Sequence, residues 1–233
     1  MWVVVPVKRF SAAKSRLASV LSEAERESLA QAMLNDVLRA LGQCERVSGF
    51  VVVSREARAG YAAERSGGLF LDEATQGLSA ALQQAGHWLA QHGRRDMAMI
   101  PGDIPLVSAR EIDQLINAHR GTPAITLVPN REREGTNAIA VSPAEVIPFA
   151  FGAGSFAKHC QAAARVGIEP RVLELAGVAL DIDNPLDLQS LLTHDAETET
   201  LAYLCDSGIA RRVMPRHASA RDISDSAAAS RLL

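Results

Sequence analysis

Short apolar runs with little alternation punctuate the chain at residues 3–5, 50–53, 69–71, 97–100, 124–128, 137–141, 171–175 and 178–182. Runs of this length without a polar side suit strands covered on both faces. The segments between them follow a helical period. Ser22 with Glu25 three residues on forms a capping box, and from there Leu29, Met33, Val37 and Leu41 recur every four residues along one face. Ser108 and Glu111 repeat the box ahead of Ile112, Leu115 and Ile116. Helices are also predicted over 78–92, 155–165, 185–192 and 198–205, the third with proline in its first turn. Strands alternating with helices imply an α/β fold, a mostly parallel sheet with helices on both faces. Ligands in such folds sit at the carboxyl ends of the strands. The stretch from about residue 215 is rich in Ala, Ser and Arg without periodicity and reads as a disordered tail, leaving 1–214 as one domain.

Composition narrows the function. A chain of 233 residues with 48% hydrophobic residues can bury one large aliphatic core. The formal net charge of −3 argues against a nucleic-acid groove. Apolar runs fall short of the roughly 20 residues of a membrane span. Cys44, Cys160 and Cys205 lie far apart and include no CxxC, so they read as reduced core thiols of a cytoplasmic protein.

The charged positions cluster at the predicted carboxyl edge. Lys8, Arg9, Lys14 and Arg16 follow the first strand in "VVVPVKRFSAAKSRL", where an anion is expected. Asp103 follows the run at 97–100 in "MIPGDIPLV", and Asp181 and Asp183 close the run at 178–182 in "VALDIDNP". Residues two apart on an extended strand point the same way, so a D-x-D pair can share one cation. Mg²⁺ takes such oxygen ligands when it also grips phosphate. Two further clusters suit anions: Gly135-Thr136-Asn137 entering a strand, preceded by Arg131 and Arg133, and Gly152, Gly154 and Ser155 before a helix, with Ser155 as the expected N-cap. A GxSxG elbow and a P-loop are both missing. His87, His92, His119 and His159 fall on predicted helices and read as surface or packing residues; His159, one turn from Ser155, stands nearest to the candidate chemistry.

Five motifs in order, "VPVKRFSAAKSRL", "IPGDIPLV", "REREGTNAIAV", "FGAGSFAKH" and "LDIDNPLDL", resemble the guanylyltransferases of coenzyme F420 biosynthesis. That family is in turn similar to the molybdenum-cofactor guanylyltransferases, with a Rossmann-like sheet. The resemblance spans residues 1–213 or so. It implies transfer of GMP from GTP to a small phosphorylated acid (2-phospho-L-lactate, phosphoenolpyruvate or 3-phospho-D-glycerate) with release of pyrophosphate. Carried onto this chain, it implies Lys8, Lys14 and Gly77 at the nucleotide, and Asp103, Asp181 and Asp183 as catalytic Mg²⁺ ligands. Thr136, Gly152 and Ser155 are then placed at the acceptor. Gly77-Leu78-Ser79 stands where the family commonly has Gly-Leu-Asn, which alters the nucleoside contact. The expected partners are GTP and the phospho-acid, without nucleic acid or membrane, and a homodimer. A sugar-phosphate or molybdopterin acceptor, and a non-catalytic GTP-binding regulatory domain, are the alternatives left open.

Overall fold

The computed structural model describes residues 1–214; the expected tail lies outside the described residues. Seven strands form one sheet in the order β3-β2-β1-β4-β6-β5-β7. They are β1 (Trp2–Val7), β2 (Gly49–Ser54), β3 (Leu69–Asp72), β4 (Met97–Met99), β5 (Ala124–Pro129), β6 (Thr136–Ser142) and β7 (Arg171–Val172). β6 is antiparallel to both β4 and β5, while the other pairings are parallel. The reversal matters for function. It brings the start of β6, Thr136 and Asn137, to the same edge as the carboxyl ends of β1 and β4.

Alternate strand residues feed two cores, as the continuous apolar runs require. Val3, Val5 and Val52 pack beneath helices α1 (Glu23–Gly42), α2 (Ala57–Arg65) and α4 (Ala109–Ala118). Val4, Val51 and Val53 face α3 (Leu78–Gln91) and α5 (Ser155–Arg165). Both predicted capping boxes form, at Ser22 with Glu25 and at Ser108 with Glu111. The carboxyl-terminal helices α7 (Pro185–Leu191), α8 (Glu199–Asp206) and α9 (Ile209–Val213) close the first core through Leu188, Leu191, Leu204, Ile209 and Val213.

Two predicted strands are corrected. The run at 171–175 pairs only over Arg171–Val172, both exposed at the sheet edge. The run at 178–182 joins no sheet. It begins in the short helix α6 (Ala176–Ala179) and continues as extended chain. Gly177 packs so closely on the Leu106 carbonyl that a Cβ would collide with it. From there side chains and loops hold the segment: the Asn137 amide donates to the Val178 carbonyl at 2.9 Å, and the Ile182 N–H to the Asp103 carbonyl at 3.3 Å. α2, α6 and α9 were not legible as periodic patterns, all being short and the first two alanine-rich. All three cysteines are free; Cys44 and Cys160 are half-buried and Cys205 is exposed, so Cys205 is not the core thiol expected.

Candidate active site

Past β1 the chain forms two 3₁₀ turns, Phe10–Ala12 and Ser15–Leu17, anchored by buried Phe10 and Leu17. Between them Lys14 adopts a left-handed backbone, φ 54°. This geometry turns its side chain inward, where it is only 6% exposed. Its ammonium donates to Asp103 Oδ2 at 2.6 Å and to Asp183 Oδ1 at 3.0 Å. Arg16 stands 3.9 Å from the other Asp183 oxygen. Lys8, Lys14, Arg16 and Asp183 line a cleft of about 210 Å³ together with Ala12 and Ser15.

The carboxylates reach this point from separate elements. Asp103 comes from the loop after β4, stiffened by Pro101 and Pro105. Asp181 and Asp183 project on one side of the extended segment while Leu180 and Ile182 bury on the other. The same-side orientation predicted for D-x-D therefore holds, although the strand does not. Burial raises the Asp181 pKa, and the neighbouring Asp103 and Asp183 charges raise it further, against hydrogen bonds from Asn137, 3.2 Å away, and from the backbone. Burial also pushes Asp183 up, but Lys14, Arg16 and Lys8 outweigh it and hold the carboxyl below its ordinary range. Lys14 shows the reverse balance: burial lowers its pKa, and Asp103 with Asp183 more than restores it. Among the described residues no group of three or more His, Cys, Asp or Glu side chains is closed into a ready metal cage. With Lys14 between two of the carboxylates, Asp181 is the member left with like charge for neighbours. That shortage of positive charge, on an all-oxygen donor set, fits a hard divalent cation.

The second flank of the edge is neutral. Thr136 and Ser155 are buried, and the Thr136 N–H donates to Ser155 Oγ at 2.9 Å. Gly154, in the left-handed region at φ 68°, is the N-cap of α5; Ser155 is the first helical residue rather than the cap expected. Its hydroxyl serves β6 instead of its own helix. Gly152 has φ 112° with open space where a Cβ would stand, so the backbone conformation is what demands glycine there. The N–H groups of Gly152, Ala153 and Gly154 have no acceptor among the described residues. Gly77, φ 128° and likewise open, precedes α3 past the end of β3. Arg133 lies outside this cluster, paired with Glu174 at 2.6 Å and lying over the Phe156 ring.

Three participants carried little sequence signal. Asn137 orients Asp181 and holds the Val178 carbonyl. Ser79 accepts from the Phe151 N–H at 3.0 Å, joining the start of α3 to the loop before α5. His159 lies fully buried between Thr136 and the Ala150 amide. Its spacing of four from Ser155, on one helix face, was the available hint.

A mostly parallel sheet whose carboxyl edge sets cations after the first strand beside Asp103 after the fourth, with Asp181 and Asp183 brought in from the segment between α6 and α7, defines a nucleotidyltransferase. The fold is shared with a protein described as a nucleotide-diphospho-sugar transferase from Desulfovibrio desulfuricans G20 (TM-score 0.72, 16% identity, covering 91% of this chain and 97% of that one). The family profile "Guanylyl transferase CofC like" matches residues 1–226, and the chain belongs to that family. A phosphoenolpyruvate guanylyltransferase of Sphaerobacter thermophilus is 39% identical over 82% of this chain and 92% of its own. A 2-phospho-L-lactate guanylyltransferase of Methanocaldococcus vulcanius is 32% identical over 94% and 96%. A 3-phospho-D-glycerate guanylyltransferase of Colwellia psychrerythraea is 31% identical over 87% and 97%.

Proposed function

We propose that this guanylyltransferase joins the GMP unit of GTP to a small phosphorylated carboxylic acid, phosphoenolpyruvate first among the three, as a step toward coenzyme F420. The observation that carries the reading is the pairing of two unlike flanks about Asp103, Asp181 and Asp183. One flank is cationic, Lys8, Lys14 and Arg16, and suits a triphosphate. The other is a set of neutral donors, Thr136, Ser155 and the amides of 152–154, and suits a second, smaller anion. The 39% identity to a phosphoenolpyruvate enzyme supports that acid over the other two.

The acceptor phosphate is the nucleophile. A phosphate monoester has its second pKa near ~6, so at neutral pH it attacks as a dianion and needs no general base. A bond forms between an acceptor phosphate oxygen and the α-phosphorus of GTP. The bond from the α-phosphorus to the bridging oxygen breaks, and pyrophosphate leaves with that electron pair. Asp103, Asp181 and Asp183 would hold Mg²⁺, which, when bound, neutralises charge on the phosphates. The chain's own task is alignment: Lys8 and Lys14 hold the triphosphate, Gly77 lets the backbone approach the nucleoside, and the Thr136 flank orients the acid.

Incubation with GTP, Mg²⁺ and each acid separately, with pyrophosphate release and mass detection of the product, tests the proposal. The expected outcome is one guanylylated acid formed at least tenfold faster than the others. Pyrophosphate release with a sugar phosphate but with none of the acids would overturn it.

A further inference from the structure

His159 is fully buried, yet both its ring nitrogens are engaged. Nε2 lies 3.1 Å from the Ala150 N, and Nδ1 lies 2.9 Å from Thr136 Oγ1. A backbone N–H can only donate, so Nε2 must be the unprotonated acceptor. The ring proton of a neutral imidazole then sits on Nδ1 and is donated to Thr136 Oγ1. Neutrality is secured by burial, which with nearby Lys158 pushes the imidazole down to about 4. Thr136 Oγ1 therefore acts as an acceptor toward His159, and its own hydroxyl proton must point elsewhere. Ser155 Oγ is in the same position, accepting from the Thr136 N–H. Neither hydroxyl proton has an acceptor among the described residues, although Thr136 is 6% and Ser155 2% exposed. A buried hydroxyl with an uncommitted proton is costly unless a ligand accepts it.

The same ring fixes the loop. His159 takes the Ala150 amide, Ser79 takes the Phe151 amide, and the next three amides, 152–154, are the free ones. Phe151 closes on the His159 ring edge-on at 4.8 Å between centroids. Free amides and free hydroxyl protons are thus all donors, and the imidazole bonds Thr136 on one side and Ala150, at the start of the loop that carries the free amides, on the other.

We propose that His159 is a positioning residue for the acceptor. Held as the Nδ1–H tautomer, it fixes Thr136 as a hydrogen-bond donor to an anionic oxygen and sets the loop that carries the amides of 152–154. The inference rests on the acceptor-side reading of Thr136 and Ser155 given above. The ligand group it suits is a carboxylate or phosphate of the acid, not a group that itself donates.

Long-range ¹H–¹⁵N correlation of the imidazoles in the full chain tests the tautomer without any mutation at the site. A protonated Nδ1 and a bare Nε2 are expected for His159, and a protonated Nε2 would overturn the proposal. Three variants separate its two bonds. His159→Phe keeps the ring against Phe151 and loses both; His159→Asn keeps a donor near the Nδ1 position; His159→Gln keeps an acceptor near the Nε2 position. The acceptor KM should rise on the order of tenfold or more in His159→Phe with the GTP KM unchanged, and His159→Asn should retain more of the wild-type acceptor KM than His159→Gln. An unchanged acceptor KM, or equal rises for both substrates, would overturn the role. Should His159→Phe fail to fold, the Asn and Gln variants decide by the same comparison. Thr136→Val is run alongside. If it raises the acceptor KM while the His159 variants do not, positioning by His159 fails alone. If it too leaves the acceptor KM unchanged, the acceptor-side reading fails with it.

Discussion

At the residue scale, the charge arrangement about Lys14 makes two predictions. Asp183→Asn keeps size and hydrogen bonding but removes the charge that faces Lys14, Arg16 and Lys8. Turnover should fall on the order of a hundredfold with little change in the folded signal by circular dichroism. Wild-type pyrophosphate release at limiting Mg²⁺ would remove Asp183 from the catalytic set. Lys14→Met removes the cation that bridges Asp103 and Asp183. The expected results are GTP binding weakened about tenfold or more and a shallower dependence of affinity on salt, both read by titration calorimetry. A Lys14 that served only to neutralise the carboxylates would leave GTP affinity unchanged.

At the element scale, buried polar side chains staple helices to one another and to the sheet. Asp36 of α1 accepts from the Glu199 and Thr200 amides at 2.7 and 2.9 Å, from the Thr200 hydroxyl at 2.6 Å and from Arg39 at 2.6 Å. It caps the first turn of α8 from a neighbouring helix. Asp36→Ala leaves these donors unpaired and should lower stability by about 3 kcal/mol, seen as a lower urea midpoint. His159 staples α5 to β6 and carries a pH signature. The unfolded imidazole titrates near 6.5 and the folded one near 4, so between those values the unfolded chain binds the extra proton. The stability that comes from keeping His159 neutral is complete above about pH 6.5 and is lost as pH falls toward 4, roughly 3 kcal/mol in all. Urea midpoints from pH 7 to 4 should fall more steeply in the wild type than in His159→Gln. Parallel curves would show that His159 titrates normally.

At the scale of the whole molecule, one strand reversal organises the site. Five loops from both halves of the sheet meet on one edge, and none of them belongs to the core strands. Hydrogen exchange should therefore be slowest in β1, β2 and β4 and faster in the loops at 8–17, 73–78 and 150–154. GTP should protect the first two loops, and the phospho-acid should protect 150–154 with the start of β6. Protection of the same loops by both ligands would contradict the two-flank arrangement.

Much of this was fixed by local pattern. The apolar runs at 3–5, 50–53 and 97–100 suit buried strands, and capping boxes at Ser22 and Ser108 mark helix starts, because burial and capping act over a few residues. The candidate chemistry was legible for the same reason: Asp103, Asp181, Asp183, Lys8 and Lys14 are charges placed just after apolar runs. What periodicity could not reveal depended on partners distant in the chain. The run at 178–182 has the composition of a strand, but Asn137 and the Asp103 carbonyl hold it outside the sheet. Lys14 reads as a loop cation, and only the folded chain shows the left-handed turn that sets it against Asp103 and Asp183 at the cleft. The direction of β6 and the tautomer of His159 were likewise settled only by packing, because each depends on which donor or strand stands opposite, and sequence spacing carries no record of that.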